Sequence, residues 1–295
     1  MPYIILLLIA MFPSVHYGNN IDSLSHSFTS RIAIPDFEED CDFCGGGASG
    51  GSFGFTPIED QSFIGFRSIN QHYSTREGMF FNEDKRKEVY QTYQLWGGIK
   101  INAKFSISLI VPYSSNYRMT ATGKQPLRGF GDVTVLGNYN LLRNVAEGRN
   151  WNHNIRVSAG LKLPVGTYDA DNNGSINPGY QLGTGSFDYI GSADYTLSYR
   201  NLALQQFVSY TLKTDNKESY KFGNQLNLNT TLLYTFPIKE MKLIPQVGYA
   251  YETYEANQLY GYDLNLTGGH VSLLKVGLDF QISSFRFGGQ FQKPV

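Results

Sequence analysis

The sequence predicts an all-β protein, an antiparallel transmembrane β-barrel arranged as a meander. The first observation is alternation. Ile155, Val157, Ala159, Leu161 and Leu163 fall on one face of an extended segment, and Asn154, Arg156, Ser158, Gly160 and Lys162 on the other. Leu274, Val276, Leu278 and Phe280 alternate in the same way with Lys275, Gly277, Asp279 and Gln281. A period of two marks a strand with two unlike faces. The second observation separates a membrane barrel from a soluble sandwich. Such segments are many, most exceed a soluble strand in length, and Lys, Arg and Asp recur along their polar faces. The competing fold is a secreted β-sandwich, which would enclose Ile155, Val157 and Leu274 between two sheets and leave the lysines outside.

Composition is compatible with the barrel. Charged residues make up 17% of the 295, and Gly (31), Tyr (21) and Phe (20) are abundant. After residue 11 no apolar run approaches the roughly 18–20 residues of a spanning helix. Lipid-facing residues of a barrel are diluted one for one by lumen residues, so a low mean hydropathy is no objection. The net charge of −1 gives no electrostatic footprint for nucleic acid, and none is expected as a partner.

Residues 1–18 read as a signal peptide, with an apolar core from Tyr3 to Phe12 too short to span a bilayer. Residues 19–60 read as a flexible segment carrying an acidic run, Cys41 and Cys44, and a glycine cluster. Residues 61–295 form the barrel. Its expected strands are 62–73, 88–100, 103–112, 129–142, 152–163, 186–199, 202–213, 219–235, 243–254, 269–281 and 284–292. Apart from 214–218, which is shorter than its class, the connections alternate long and short, as the outer loops and periplasmic turns of outer-membrane barrels do. This parity starts the first strand in the periplasm. It also gives eleven strands, whereas single-chain bacterial barrels have even numbers. Either a strand near 50–58 is uncounted or a twelfth lies beyond Val295; a strand at 50–58 would turn every long loop toward the periplasm, so truncation at the C-terminus is the expected reading.

With the apolar register facing lipid, the lumen receives Arg67, Lys100, Lys104, Asp132, Arg156, Lys162, Asp188, Asp194, Arg200, Lys275, Asp279 and Arg286. Such charges suit a wet or internally paired lumen and are costly in a dry core. Basic groups outnumber acidic ones, which favours anionic or polar solutes unless the charges pair with one another. Asp132, Lys162 and Asp188 occupy corresponding places on successive strands, so a charge network near one mouth is expected. Tyr73, Tyr113, Tyr139, Tyr168, Tyr199, Tyr234 and Tyr254 lie near strand ends and suit aromatic girdles.

Three further constellations bear on chemistry. In an oxidising compartment Cys41 and Cys44 form a disulfide or remain an unused reduced pair, or they bind a soft metal such as copper(I). Asp169, Asp171, Asn173 and Ser175 resemble half a calcium loop, but Tyr180 stands where its glutamate belongs, so a solvated acidic turn is the simpler reading. His270 and Ser272 have the spacing of a lipid-hydrolysing barrel's nucleophile pair, without the orienting asparagine. No enzyme activity and no cofactor are expected.

Gly129-Phe130-Gly131-Asp132-Val133 opens one strand, Gly160-Leu161-Lys162-Leu163-Pro164-Val165-Gly166-Thr167-Tyr168 closes another, and Pro178-Gly179-Tyr180-Gln181-Leu182-Gly183-Thr184-Gly185-Ser186-Phe187-Asp188 leads into the next. This order resembles the outer-membrane transporter family named for the MetA pathway of phenol degradation, in its Bacteroidetes-type branch. The resemblance covers residues 41–295 and implies a twelve-stranded, porin-like barrel in the bacterial outer membrane. Two departures stand out. Cys44 is followed by glycines where that branch often has Cys-Gly-Cys, and the family continues past the segment matching Phe291–Val295. The expected function is a channel or passive transporter for small solutes of aromatic, hydrophobic or anionic character, with outer-membrane lipid as its surroundings. The alternative is a non-transporting barrel with a metal-binding Cys-x-x-Cys segment. A lipid-hydrolysing barrel is a remote third reading.

Overall fold

The computed structural model describes residues 25–33, 62–76, 85–120, 123–144, 151–169, 179–264 and 267–295. Its elements are β1 (Ser25–Ala33), β2 (Phe63–Arg76), β3 (Lys85–Lys100), β4 (Phe105–Thr120), β5 (Gly123–Phe130), β6 (Val133–Asn144), β7 (Trp151–Leu163), β8 (Asp188–Tyr199), β9 (Leu202–Leu212), β10 (Tyr220–Lys221), β11 (Gln225–Tyr234), β12 (Phe236–Ile238), β13 (Met241–Tyr254), β14 (Gln258–Leu259), β15 (Tyr262–Asp263), β16 (Gly269–Ile282) and β17 (Phe285–Pro294). The expected strands correspond to β2, β3, β4, β5 with β6, β7, β8, β9, β10 with β11, β13, β16 and β17. Each pairs antiparallel with its sequence neighbour along the meander. Within it β11 pairs with both β9 and β13.

The seam differs from expectation. β2 and β17 are the two edges of the meander, and because the number of meander strands is odd they run the same way. They do not pair with each other. β1 lies between them, parallel to both, with Phe28 opposite Phe66 on one side and Phe287 on the other. The sequence assigns the 19–60 stretch no regular element, so β1 is a correction. Its physical role is plain: an edge in hydrocarbon leaves backbone groups without partners at several kcal/mol each, and β1 supplies partners to both edges. A second correction concerns 113–128, expected as a loop. β4 continues through Pro112 to Thr120, and β5 returns beside it.

The sheet is inverted relative to a soluble protein. On β16 Leu274 is 51% and Val276 54% exposed, whereas Lys275 is 4% and Asp279 6% exposed. The same polarity holds on β4, where Ile107, Leu109 and Tyr113 are exposed while Ser108, Ser114 and Asn116 are buried. Enclosed Ile155, Val157 and Leu274 with outward lysines would define a sandwich, and the arrangement is the reverse. Apolar side chains face outward, as lipid requires, and the interior is polar.

Aromatic rows bound the apolar band. Tyr93, Tyr113 and Phe130 lie side by side on β3, β4 and β5, with the Tyr113 and Phe130 rings 5.4 Å apart. At the other end Phe105 faces Tyr139, the Trp151 and Tyr199 rings lie 4.6 Å apart and tilted, and Tyr234 lies 4.5 Å from Phe236. From Tyr113 to Phe105 the path along β4 is about 26 Å at roughly 3.3 Å per residue. At a strand tilt of about 40° that path rises about 20 Å, which the rings at either end extend toward an apolar band of about 25 Å. Not every expected girdle tyrosine belongs there. Tyr168 packs against Tyr220 and Phe222, and the Tyr254 hydroxyl turns to the Glu252 carboxylate on the buried register. The Tyr73 side chain lies outside the described residues.

Depth in this band gives a test of orientation. Val276→Arg, near mid-band, should cost about 2–4 kcal/mol in denaturant unfolding from lipid vesicles, whereas Ile282→Arg at the band edge should cost about 0–1 kcal/mol. Equal costs at both positions would contradict the membrane assignment.

Candidate functional site

The site is the outer mouth of the lumen, and it begins with a bulge. Ile110 faces Thr134, but Tyr113 faces Phe130. One extra residue is therefore inserted on the β5–β6 side around Gly131 and Asp132, where ladder pairing lapses and a side chain can be re-aimed. The Gly131 N–H still donates to the Pro112 carbonyl at 2.9 Å. Asp132 is turned inward and buried.

Asp132 holds the connection between β7 and β8. One carboxylate oxygen accepts from the Gly166 N–H at 3.0 Å. The other accepts from the Thr184 N–H at 2.8 Å and the Thr184 hydroxyl at 3.0 Å. Glycine is required where the two limbs of this connection meet: a Cβ on Gly183 would strike the Asp132 carboxylate and sit 2.7 Å from the Gly166 carbonyl oxygen. The three motifs singled out in the sequence thus converge on one carboxylate.

The expected charge network is present and has a fourth member. Lys162 Nζ lies 3.3 Å from Asp132 and 2.6 Å from Asp188. Lys213, just past β9, reaches Asp188 at 3.0 Å, and the Ser186 hydroxyl donates to Asp188 at 2.9 Å. Asp188 is fully enclosed. Two cations and two carboxylates leave the cluster neutral, which is how charges persist away from bulk water. Asn216 ties the next connection to the same place by donating to the Thr184 carbonyl at 3.1 Å.

From this anchor residues 179–187 fold inward against the outer ends of β3, β4 and β5. Tyr180 donates its hydroxyl to the Gln125 carbonyl at 2.8 Å. Its ring lies 4.7 Å from the Arg118 guanidinium and edge-on to Tyr90 at 6.0 Å. Tyr90 in turn donates to Glu88 at 2.8 Å. Burial pushes the Tyr180 phenol up to about 12, so it remains a neutral donor at physiological pH.

Of the lumen residues named from the sequence, Arg67, Asp132, Arg156, Lys162, Asp188, Asp194, Lys275 and Asp279 are buried on the polar register and Arg286 is half-buried. Arg67 covers the Trp96 ring at 4.6 Å, beside an apolar patch of Phe63, Trp96 and Ile110. Arg156 donates to Asn140 at 3.1 Å, and Asp194 accepts from Gln205 at 2.9 Å. Lys275 donates to Asn229 and Thr231, and Arg286 pairs with Asp279 at 2.7 Å. Three differ. Lys100 is half-exposed at the end of β3, while Lys104 and Arg200 sit exposed in the short turns after β3 and β8. Their polar register ends where the strand ends.

Sequence reasoning missed Glu88, Arg118, Lys213 and Tyr180. Lys213 continues the inward register of Phe207, Ser209 and Thr211, so the alternation contains it. Arg118 lies beyond the expected strand 103–112, in the stretch 113–128 expected as a loop. Among the described residues no cluster of His, Cys, Asp and Glu could hold a metal. Cys41, Cys44 and the 170–178 part of the calcium-like loop lie outside the described residues. His270 and Ser272 do not join as a nucleophile pair: the Ser272 hydroxyl bonds the Tyr249 hydroxyl at 2.7 Å, and the His270 ring lies 5.8 Å from that of Tyr251.

Removing one member of a buried ion cluster leaves an uncompensated charge, at about 3–5 kcal/mol. Lys162→Met should therefore destabilise the protein by roughly that amount in vesicle unfolding. Adding Asp188→Asn should recover part of the loss.

A family model described as "Putative MetA-pathway of phenol degradation" matches residues 72–293. No curated protein matches the chain. Among solved structures, the crystal structure of an outer membrane channel from Pseudomonas putida F1 superimposes with a TM-score of 0.58 at 14% identity, covering 79% of this chain and 87% of that one. At that identity the likeness concerns the fold, and it agrees with an inverted, girdled barrel of the bacterial outer membrane. The matched span covers the bulge at Asp132, the Lys162–Asp188 pair and the inward-folded connection between them, and the chain belongs to the family of the putative MetA pathway of phenol degradation.

Proposed function

We propose that this barrel is a channel or passive transporter carrying small solutes across the outer membrane. The observation that supports it most is the combination of a polar interior and the inward-folded residues 179–187, pinned by Asp132 at the outer mouth. A barrel serving only as an anchor has no need of a structured constriction. The structural relative is itself described as an outer membrane channel.

The pairing of the lumen charges bears on the solute. Lys162 and Lys213 are neutralised by Asp132 and Asp188, and Arg286 by Asp279. Free cationic charge is thus smaller than a count of basic residues suggests, and the lumen imposes a weak preference between anions and cations. Further in, Phe63, Trp96 and Ile110 form a buried apolar cluster on the inward register, with Arg67 over the Trp96 ring. Together these features favour a small amphipathic solute, aromatic or otherwise hydrophobic, over a simple inorganic anion.

Single-channel recording in planar bilayers tests this reading. The full chain should give a small conductance. Asp132→Ala, which releases the 164–187 connection, and Tyr180→Ala, which opens its contact with β3–β5, should each raise it several-fold. Absence of current in all three proteins, with no solute flux into liposomes, would reject transport.

A further inference from the structure

We propose that the outward face of β3, β4 and β5, just beyond the outer aromatic row, binds the phosphates of an anionic glycolipid of the outer leaflet. The register places the residues. Tyr93, Tyr113 and Phe130 form the aromatic row. The next outward row carries Gln91, Ser115 and Arg128, the next Val89, Tyr117 and Pro126, and the outermost Lys87, Met119 and Lys124. Lys87, Lys124 and Arg128 are all exposed. They stand two to six residues beyond the apolar band, at the height where lipid headgroups begin.

Among the described residues, the outward rows beyond the aromatic row on these three strands carry no carboxylate. Glu88, the nearest acid in sequence, is turned inward and holds the Tyr90 hydroxyl. Lys124 is not a loose surface lysine: its ammonium lies 3.8 Å from the centroid of the Tyr117 ring, which fixes it against the wall. The patch is local. On the far side of the mouth the residue meeting Tyr210 at this height is Glu255, at 3.3 Å.

The spacing suits a headgroup with two phosphates. Lys87 and Lys124 flank β4 and are about 10 Å apart across the sheet, and Arg128 lies about 13 Å along β5 from Lys124. Arg presents a planar fork to phosphate oxygens and Lys a point charge. Acyl chains of the same lipid would lie on the exposed band below, against Leu95, Leu109 and Tyr113. The site does not depend on whether the barrel conducts.

Native mass spectrometry of the detergent-solubilised full chain tests the proposal, with bisphosphorylated lipid A, enzymatically dephosphorylated lipid A and inorganic phosphate as probes. The bisphosphorylated form should be retained and the dephosphorylated form should not. Lys87→Gln, Lys124→Gln and Arg128→Gln together should weaken retention about 100-fold, near fivefold per cation. The charge-keeping pair Lys87→Arg and Lys124→Arg should retain it, as should Lys239→Gln in a periplasmic turn. All these side chains are exposed, so heat-modifiable gel mobility should be unchanged. Should the triple variant lose that mobility, Lys124→Gln and Arg128→Gln singly provide the same comparison. Undiminished retention by the neutralised variants, or equal retention of dephosphorylated lipid A, would overturn the proposal. Displacement of the glycolipid by millimolar inorganic phosphate would also overturn it, assigning the site to a free anion.

Discussion

Hydrocarbon offers no hydrogen bonds, and the rest of this structure follows from that constraint. Every strand in the apolar band must find backbone partners on both sides. The meander satisfies this for its interior strands, and its two parallel-running edges are left over. β1 fills the seam between β2 and β17 with a full ladder to each. The same constraint sets the polarity. Side chains that meet lipid are Leu, Ile, Val, Phe and Tyr, so the polar register has only the lumen in which to go. There Asn138 bridges Ser108 and Ser158 at 2.8 Å each, and Asn227 donates to Ser209 at 3.0 Å, so these buried amides are satisfied across strands.

The outer mouth shows how local sequence becomes a site. A bulge admits one extra residue and aims Asp132 inward. Two glycines let the limbs of the 164–187 connection meet against it. Lys162 then bridges Asp132 to Asp188, so the position of the connection is coupled to the walls of β7 and β8. Tyr180 completes the arrangement by reaching β3, β4 and β5. A change at Asp132 therefore acts on the seats of Gly166 and Thr184 at the mouth.

Much of this was legible because alternation is a direct consequence of the two solvents. Leu274 to Phe280 can be read in one way only once lipid is placed outside, and the Asp132–Lys162–Asp188 network follows from register. The unread parts share a cause: a pattern too weak or too short to count. β1 is nine residues with Ser, His, Thr and Arg among them, and its pairing is set by distant edges rather than by its own alternation. The outer halves of β4 and β5 carry Ser, Asn, Gln and Arg because they rise above the apolar band, so they look like loop. Lys104 falls in the expected strand 103–112 but β4 begins only at Phe105, and Arg200 continues the β8 register into the turn. Tyr168 and Tyr254 look like girdle residues by position, but their partners lie inside.

The central claim is that the alternating register divides lipid from lumen. Site-directed spin or fluorescence labelling of single cysteines at 274, 275, 276, 278 and 279 in vesicles, in a background with Cys41 and Cys44 replaced by serine, measures this directly. Labels at Leu274, Val276 and Leu278 should be quenched by lipid-borne nitroxides and shielded from aqueous reagents, and labels at Lys275 and Asp279 should escape the lipid quencher. Uniform quenching along the strand, or the opposite alternation, would contradict the account.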